Sequence, residues 1–192
     1  GEFAFDGCLE LESIEIGNSV ETIGHAAFQN CSSLASLVLP NSVETIGDYA
    51  FYGCSALTRL VLPNSITSIG RSVVYACSSL TDLVIPQSVT SIGDYAINRC
   101  SSLKSISIPN SVETIGYAAF YYCKGITSLN IPDSVTSIGY GAFGYCRFTS
   151  ITIPDSVTSI DGGAFFSSKL TSIDIPNSIT SIGDGTFAYC FE

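Results

Sequence analysis

The sequence predicts an α/β solenoid of mainly β content, and three observations predict it. Cysteines recur on a fixed clock: Cys8, Cys31, Cys54, Cys77, Cys100, Cys123 and Cys146 are each 23 residues apart, and Cys190 follows after two units of 22, with Ser168 in the vacant place. Prolines keep the same time at Pro40, Pro63, Pro86, Pro109, Pro132, Pro154 and Pro176. Ahead of each proline, apolar and polar residues alternate as a one-sided strand requires. A unit of this size cannot bury its own apolar face, so it must stack on its neighbours.

One unit, residues 32–54, reads SSLASLVLPNSVETIGDYAFYGC. Leu34, Leu37 and Leu39 place apolar side chains at the spacing L-x-x-L-x-L, ending in alternation. Pro40 stops that strand because it has no N–H to give a ladder. Asn41 and Ser42 supply turn chemistry. Val43, Ile46 and Gly47 suggest a second, shorter extended segment and a sharp bend. Ala50 and Phe51 lie in a stretch with room for one or two helical turns, so a single-turn helix is expected there. Cys54 closes the unit. Stacking sets like residues in columns, and parallel strands at ~4.8 Å spacing give eight units a length of roughly 38 Å. The expected organisation is one domain over residues 1–192: a partial unit at 1–8, then eight units over 9–190.

The consensus L-x-x-L-x-L-P-x-S-V-x-x-I-G-x-x-A-F-x-x-C resembles the BspA-like, or Treponema-type, class of leucine-rich repeat along essentially the whole chain. The resemblance implies a right-handed leucine-rich repeat superhelix with a parallel sheet on its concave face. It also implies an extracellular or cell-surface setting and adhesion to host or matrix molecules. Some units depart from the pattern. Val73-Val74 and Ala96-Ile97 replace Ala-Phe, Asp161 replaces the bend glycine, and Ser168 replaces cysteine. The last two units each lose a residue at their start, so local irregularity is expected near Asp161 and Ser168.

Composition narrows the function. Hydrophobic residues make up 46% of the 192 and charged residues 12%, enough apolar surface for a core. Seven basic residues face seventeen acidic ones, a net charge of −10. Nucleic acid and anionic membrane are poor partners for such a chain, since both need a cationic face. No apolar run reaches the ~18–20 residues of a membrane-spanning helix, so no membrane insertion is expected of this segment.

The cysteines admit three readings: disulfides, metal ligands or small core residues. Metal sites need clustered ligands such as C-x-x-C, and the sequence has none. Stacked cysteines would have parallel Cα–Cβ vectors, which sets their Cβ atoms too far apart for a disulfide. Buried free thiols are the expectation. His25, the only histidine, has equivalents as varied as Asp48, Arg71, Tyr117 and Gly162, which reads as a solvent position. No base stands ready to activate a serine or cysteine, so neither an enzyme nor a cofactor is expected. The triplet Asn30-Cys31-Ser32 matches an N-glycosylation acceptor, but its middle residue belongs to the buried column, and the match is taken as incidental.

Recognition is therefore sought in the variable columns. The outward positions of the main strand are mostly small, except where Val38, Val61 and Val84 make an apolar stripe beside Arg59 and Asp82. These five residues form the candidate partner-binding site. The competing reading is simple β-propensity. All ten tyrosines fall in the half-unit between glycine and cysteine. They read either as rings covering the ends of the core, the favoured reading, or as a second contact or glycan-stacking surface. The expected function is a non-enzymatic scaffold binding a protein or glycan. The alternative is a structural protein joined head to tail into a rod or filament, since neither end carries a polar cap. The chain also reads as a segment of a longer array.

Overall fold

A computed structural model describes residues 1–190. Phe191 and Glu192, which close the expected domain, lie outside the described residues. The L-x-x-L-x-L segments become a series of three-residue strands: β1 (Ser13–Glu15), β3 (Ser36–Val38), β5 (Arg59–Val61) and β7 (Asp82–Val84). The segment before the bend glycine becomes a two-residue strand in successive units: β2 (Thr22–Ile23), β4 (Thr45–Ile46), β6 (Ser68–Ile69), β8 (Ser91–Ile92), β9 (Thr114–Ile115), β10 (Ser137–Ile138) and β11 (Ser159–Ile160). Every pairing is parallel and joins residues one unit apart, such as Leu60 with Leu83 and Ile92 with Ile115.

The shorter strands carry the more continuous sheet. They run as β6-β8-β9-β10-β11, and an isolated bridge from Ile160 to Ile182 extends the ladder by one unit. The main-strand sheet is segmented into the pairs β1-β3 and β5-β7 and, among the described residues, has no strand after Val84, only a bridge between Thr152 and Asp174. In β3, β5 and β7 the outward position holds Val38, Val61 and Val84, and the later units offer Ser107 and Asn130, residues of lower strand preference. The break between β3 and β5 lies between two valine units and is not explained by the outward residues.

The expected single-turn helices are absent among the described residues. In their place each unit makes a chain of tight turns. Ala27, Gln29 and Cys31 donate their N–H groups to the carbonyls of Gly24, Ala26 and Phe28. The residues between them, Ala26, Phe28 and Asn30, donate instead to Asp48, Ala50 and Tyr52 in the following unit. A helix would have turned all these donors inward. The alternation is made by left-handed residues, Ala26 at φ 51° and Asn30 at φ 57°, which break helical progression every fourth residue. The same two positions are left-handed in the next units, at Tyr49 with Gly53, at Ser72 with Ala76 and at Tyr95 with Arg99. The chain is thus a β-solenoid without a helical layer, and the α/β expectation is corrected on this point. On the turn side these inter-unit N–H groups point toward the C-terminal end. Across the core Glu44, Gly47, Glu113 and Gly116 donate backward, to Glu21, Ile23, Thr90 and Ile92.

Columns fill the interior as stacking demands. Leu34, Leu57, Leu80 and Leu103 are fully buried, as are Val43, Val89, Val112 and Val135. Phe5, Phe28 and Phe51 stack at centroid distances of 5.0 and 5.7 Å, and Phe120, Phe143, Phe165 and Phe187 form a second stack at 5.4–5.6 Å. Val74 and Ile97 fill the column between these stacks, both buried. The expected irregularity at Asp161 does not interrupt the ladder: its N–H reaches Ile138 at 3.0 Å, as Gly139 reaches Ile115 at 2.9 Å. The lost residue after Cys146 is absorbed by Phe148, which is buried where other units place leucine.

From Cys31 to Cys146 and at Cys190 the thiols are buried and unpaired, whereas Cys8, in the first turn, is exposed and so departs from the expected column. Each buried Sγ donates to a carbonyl of the preceding unit: Cys54 to Phe28 at 3.1 Å, Cys77 to Phe51 at 3.2 Å, Cys100 to Val74 at 3.1 Å. This explains the residue type. The position takes only a small side chain, and a weak donor is useful beside those carbonyls. Ser168, fully buried, keeps the column polar and lies 3.3 Å from the Cys190 sulfur.

Candidate functional site

The strand face brings the five sequence-selected residues together. β5 and β7 pair in register, so Arg59 faces Asp82 and Val61 faces Val84. Alternation explains the presentation: Leu37, Leu60 and Leu83 point into the core, and the residues flanking them point out. Val38, Val61 and Val84 are exposed by 76%, 43% and 40%. Arg59 Nε donates to Asp82 Oδ2 at 2.7 Å, the only ion pair among the described residues. Val38 from β3 and Arg59 and Val61 from β5 are among the residues lining a recess of about 380 Å³. The site is thus an apolar strip bordered by one exposed, charge-neutral pair. It offers hydrophobic area and two directional polar groups, and no nucleophile.

The buried thiols are held protonated. Burial pushes the Cys54 and Cys123 thiols up to about 12, and drives Cys77, Cys100 and Cys146 strongly upward as well. Thiols held protonated in this way are poor nucleophiles and poor metal ligands. No group of three or more His, Cys, Asp or Glu residues is placed to hold a metal ion among the described residues. Among the described residues no helix is long and apolar enough to cross a membrane.

The turn side holds what the sequence reading undervalued. Its tyrosines pack on one another across units. Tyr52 stacks on Tyr75 at 4.7 Å, Tyr75 meets Tyr95 edge-on, and Tyr95, Tyr117 and Tyr140 continue the row at 5.1 and 5.3 Å. His25 is half-buried and joins the band between Phe3 and Tyr49, so it is not a free solvent position. Its equivalents Asp48 and Asp94 accept the backbone N–H groups of Arg71 and Tyr117 through their carboxylates. Tyr75, Tyr95, Tyr117, Tyr121 and Tyr140 line a recess of about 240 Å³ with buried Asn98 at its base. The sequence signal was the surplus of tyrosine. The continuity was hidden because the row changes column, from the Tyr52 and Tyr75 position to Tyr95 and then to the Tyr117 and Tyr140 position.

Parallel strands one unit apart, a serial core and a smooth outer face define a leucine-rich repeat solenoid. The chain belongs to the family described as the BspA type leucine rich repeat region, whose model matches in six copies over residues 1–127 and 113–192. Three solved structures are similar to it. A leucine-rich repeat protein from Bacteroides ovatus is 31% identical with a TM-score of 0.89, over 94% of this chain and 50% of that one. A leucine rich cell surface protein from Faecalibacterium prausnitzii is 28% identical with a TM-score of 0.69, over 99% of this chain and 61% of that one. The leucine rich repeat protein of T. pallidum is 26% identical with a TM-score of 0.69, over 93% of this chain and 80% of that one. The chain therefore spans about half the length of the Bacteroides protein and under two thirds of the Faecalibacterium one. No curated protein matches in sequence.

Proposed function

We propose that the chain is a non-catalytic, adhesin-type scaffold working outside the cell, and that its strand face binds a protein partner. The observation that carries this reading is the row Val38, Val61 and Val84, one valine per turn, exposed beside the Arg59–Asp82 pair. Soluble proteins seldom leave a contiguous apolar row in water without a use for it. The surface setting is supported by family membership and by the Faecalibacterium protein, which is a cell surface protein. The test is Val61→Glu, with binding to immobilised matrix proteins measured by surface plasmon resonance. A buried carboxylate at the centre of an interface is expected to weaken binding at least about tenfold, with an unchanged circular dichroism melt. Unaltered binding by the folded variant removes the strand face from consideration.

A further inference from the structure

We propose a second site, on the turn side, that binds a sulfated or carboxylated oligosaccharide through Lys124, Arg147, Lys169, Tyr145 and Tyr189. Two columns flank the buried cysteines. The one just after them runs Ser78, Ser101, Lys124, Arg147, Lys169; the one just before runs Ala76, Arg99, Tyr122, Tyr145, Ser167, Tyr189. The chain has seventeen acidic residues and only seven basic ones, yet neither column holds an acid between residues 76 and 190, and four of the seven cations lie there. Lys124, Tyr145, Arg147, Ser167, Lys169 and Tyr189 together line a recess of about 200 Å³.

The side chains are held for presentation. Lys124 donates to the Tyr122 hydroxyl at 2.7 Å, and this bond draws that hydroxyl below its ordinary pKa. Arg99 also lies over the Tyr122 ring, 5.5 Å from its centroid. Tyr145 and Tyr189 both pack against Phe166, at 5.4 and 5.2 Å, and Tyr189 remains 63% exposed. Arg147 and Lys169 are exposed. The result is one cation per turn beside aromatic rings, with a rise of ~4.8 Å per turn.

That combination selects a ligand class. Ring faces beside cations suit a pyranose that stacks its C–H face while its anionic substituents meet ammonium and guanidinium groups. The rise of one turn is close to the length of one pyranose residue, so successive sugars can meet successive cations. A long polyanion is disfavoured, because the remainder of the surface is strongly acidic and repels it. The site lies in later units than the valine row and shares no lining residue with it.

Isothermal titration with a heparin-derived hexasaccharide tests the proposal. Wild-type protein is expected to bind it, and to bind its desulfated, carboxyl-reduced form about tenfold or more weakly, with affinity falling as salt rises. The triple variant Lys124→Gln/Arg147→Gln/Lys169→Gln is expected to lose about tenfold or more. Lys104→Gln, a cation on the strand face, is expected to bind as wild type. Tyr189→Ala is expected to weaken the hexasaccharide. Equal binding by the folded triple variant overturns the proposal. So does equally tight binding of a polyglutamate peptide, or of phosphatidylserine vesicles, since the saccharide would then contribute nothing.

Discussion

The buried thiols tie stability to pH in a definite direction. Cys54 and Cys123 hold their protons up to about 12 when folded, against an ordinary value of 9.0, because burial penalises the thiolate. The folded chain therefore binds more protons than the unfolded chain once pH passes the unfolded value. The contribution is fully present below about pH 9 and is lost as pH rises toward the folded value. Urea midpoints are expected to be level from pH 7 to 8.5 and to fall steadily above pH 9. Neutral iodoacetamide should label only exposed Cys8 in the native state and all eight cysteines after unfolding. Rapid native labelling of Cys100 would contradict the burial described. The cysteines were also the most legible feature of the sequence. Their period announced the stack, and their lack of partners pointed to packing. Their S–H bonds to the preceding unit were not legible, because they depend on where a carbonyl of another turn arrives.

At the scale of the element, the turn segment and the bend glycines are the demanding pieces. A Cβ on Gly47 would stand 2.6 Å from the His25 backbone nitrogen and 2.7 Å from the Gly24 carbonyl carbon. Backbone of the preceding turn cannot move aside without opening the ladder. Gly47→Ala is expected to cost about 1–3 kcal/mol in urea denaturation, as overpacking of a close contact does. The strands were readable because proline and alternation are local signals. The helix expectation failed because the sequence marks of left-handed backbone are scattered, Asn30 and Gly53 in one column and Gly141, Gly163 and Gly185 in the other. Residues such as Ala26 and Tyr49 carry none; there, bonds to the next turn accompany it. The main-strand sheet was readable only in its register. Its breaks were not legible, since β3 and β5 both carry outward valines and still do not pair. The valine row was legible as a column. The cation row Lys124, Arg147 and Lys169 has the same periodicity and shows itself once columns, not segments, are compared.

Across the whole molecule, each unit is held by the units before and after it, so stability is a sum of neighbour terms. Removing one full unit, residues 78–100, joins Cys77 to Ser101 in register and is expected to leave a cooperatively folding chain with a smaller urea m-value. Removing residues 78–88 cuts a strand away from its bend and is expected to abolish folding, read by circular dichroism. The direction of the inter-unit bonds bears on growth. On the turn side, donors such as Ala26, Phe28 and Asn30 all face the C-terminal end, like the aligned amides of a helix. On the opposite side Glu44, Gly47, Glu113 and Gly116 face the N-terminal end. The two sets of peptide dipoles oppose each other, so an added turn contributes little net axial moment. A long helix must neutralise the charge gathering at its ends; this architecture can gain turns with its terminal potential almost unchanged.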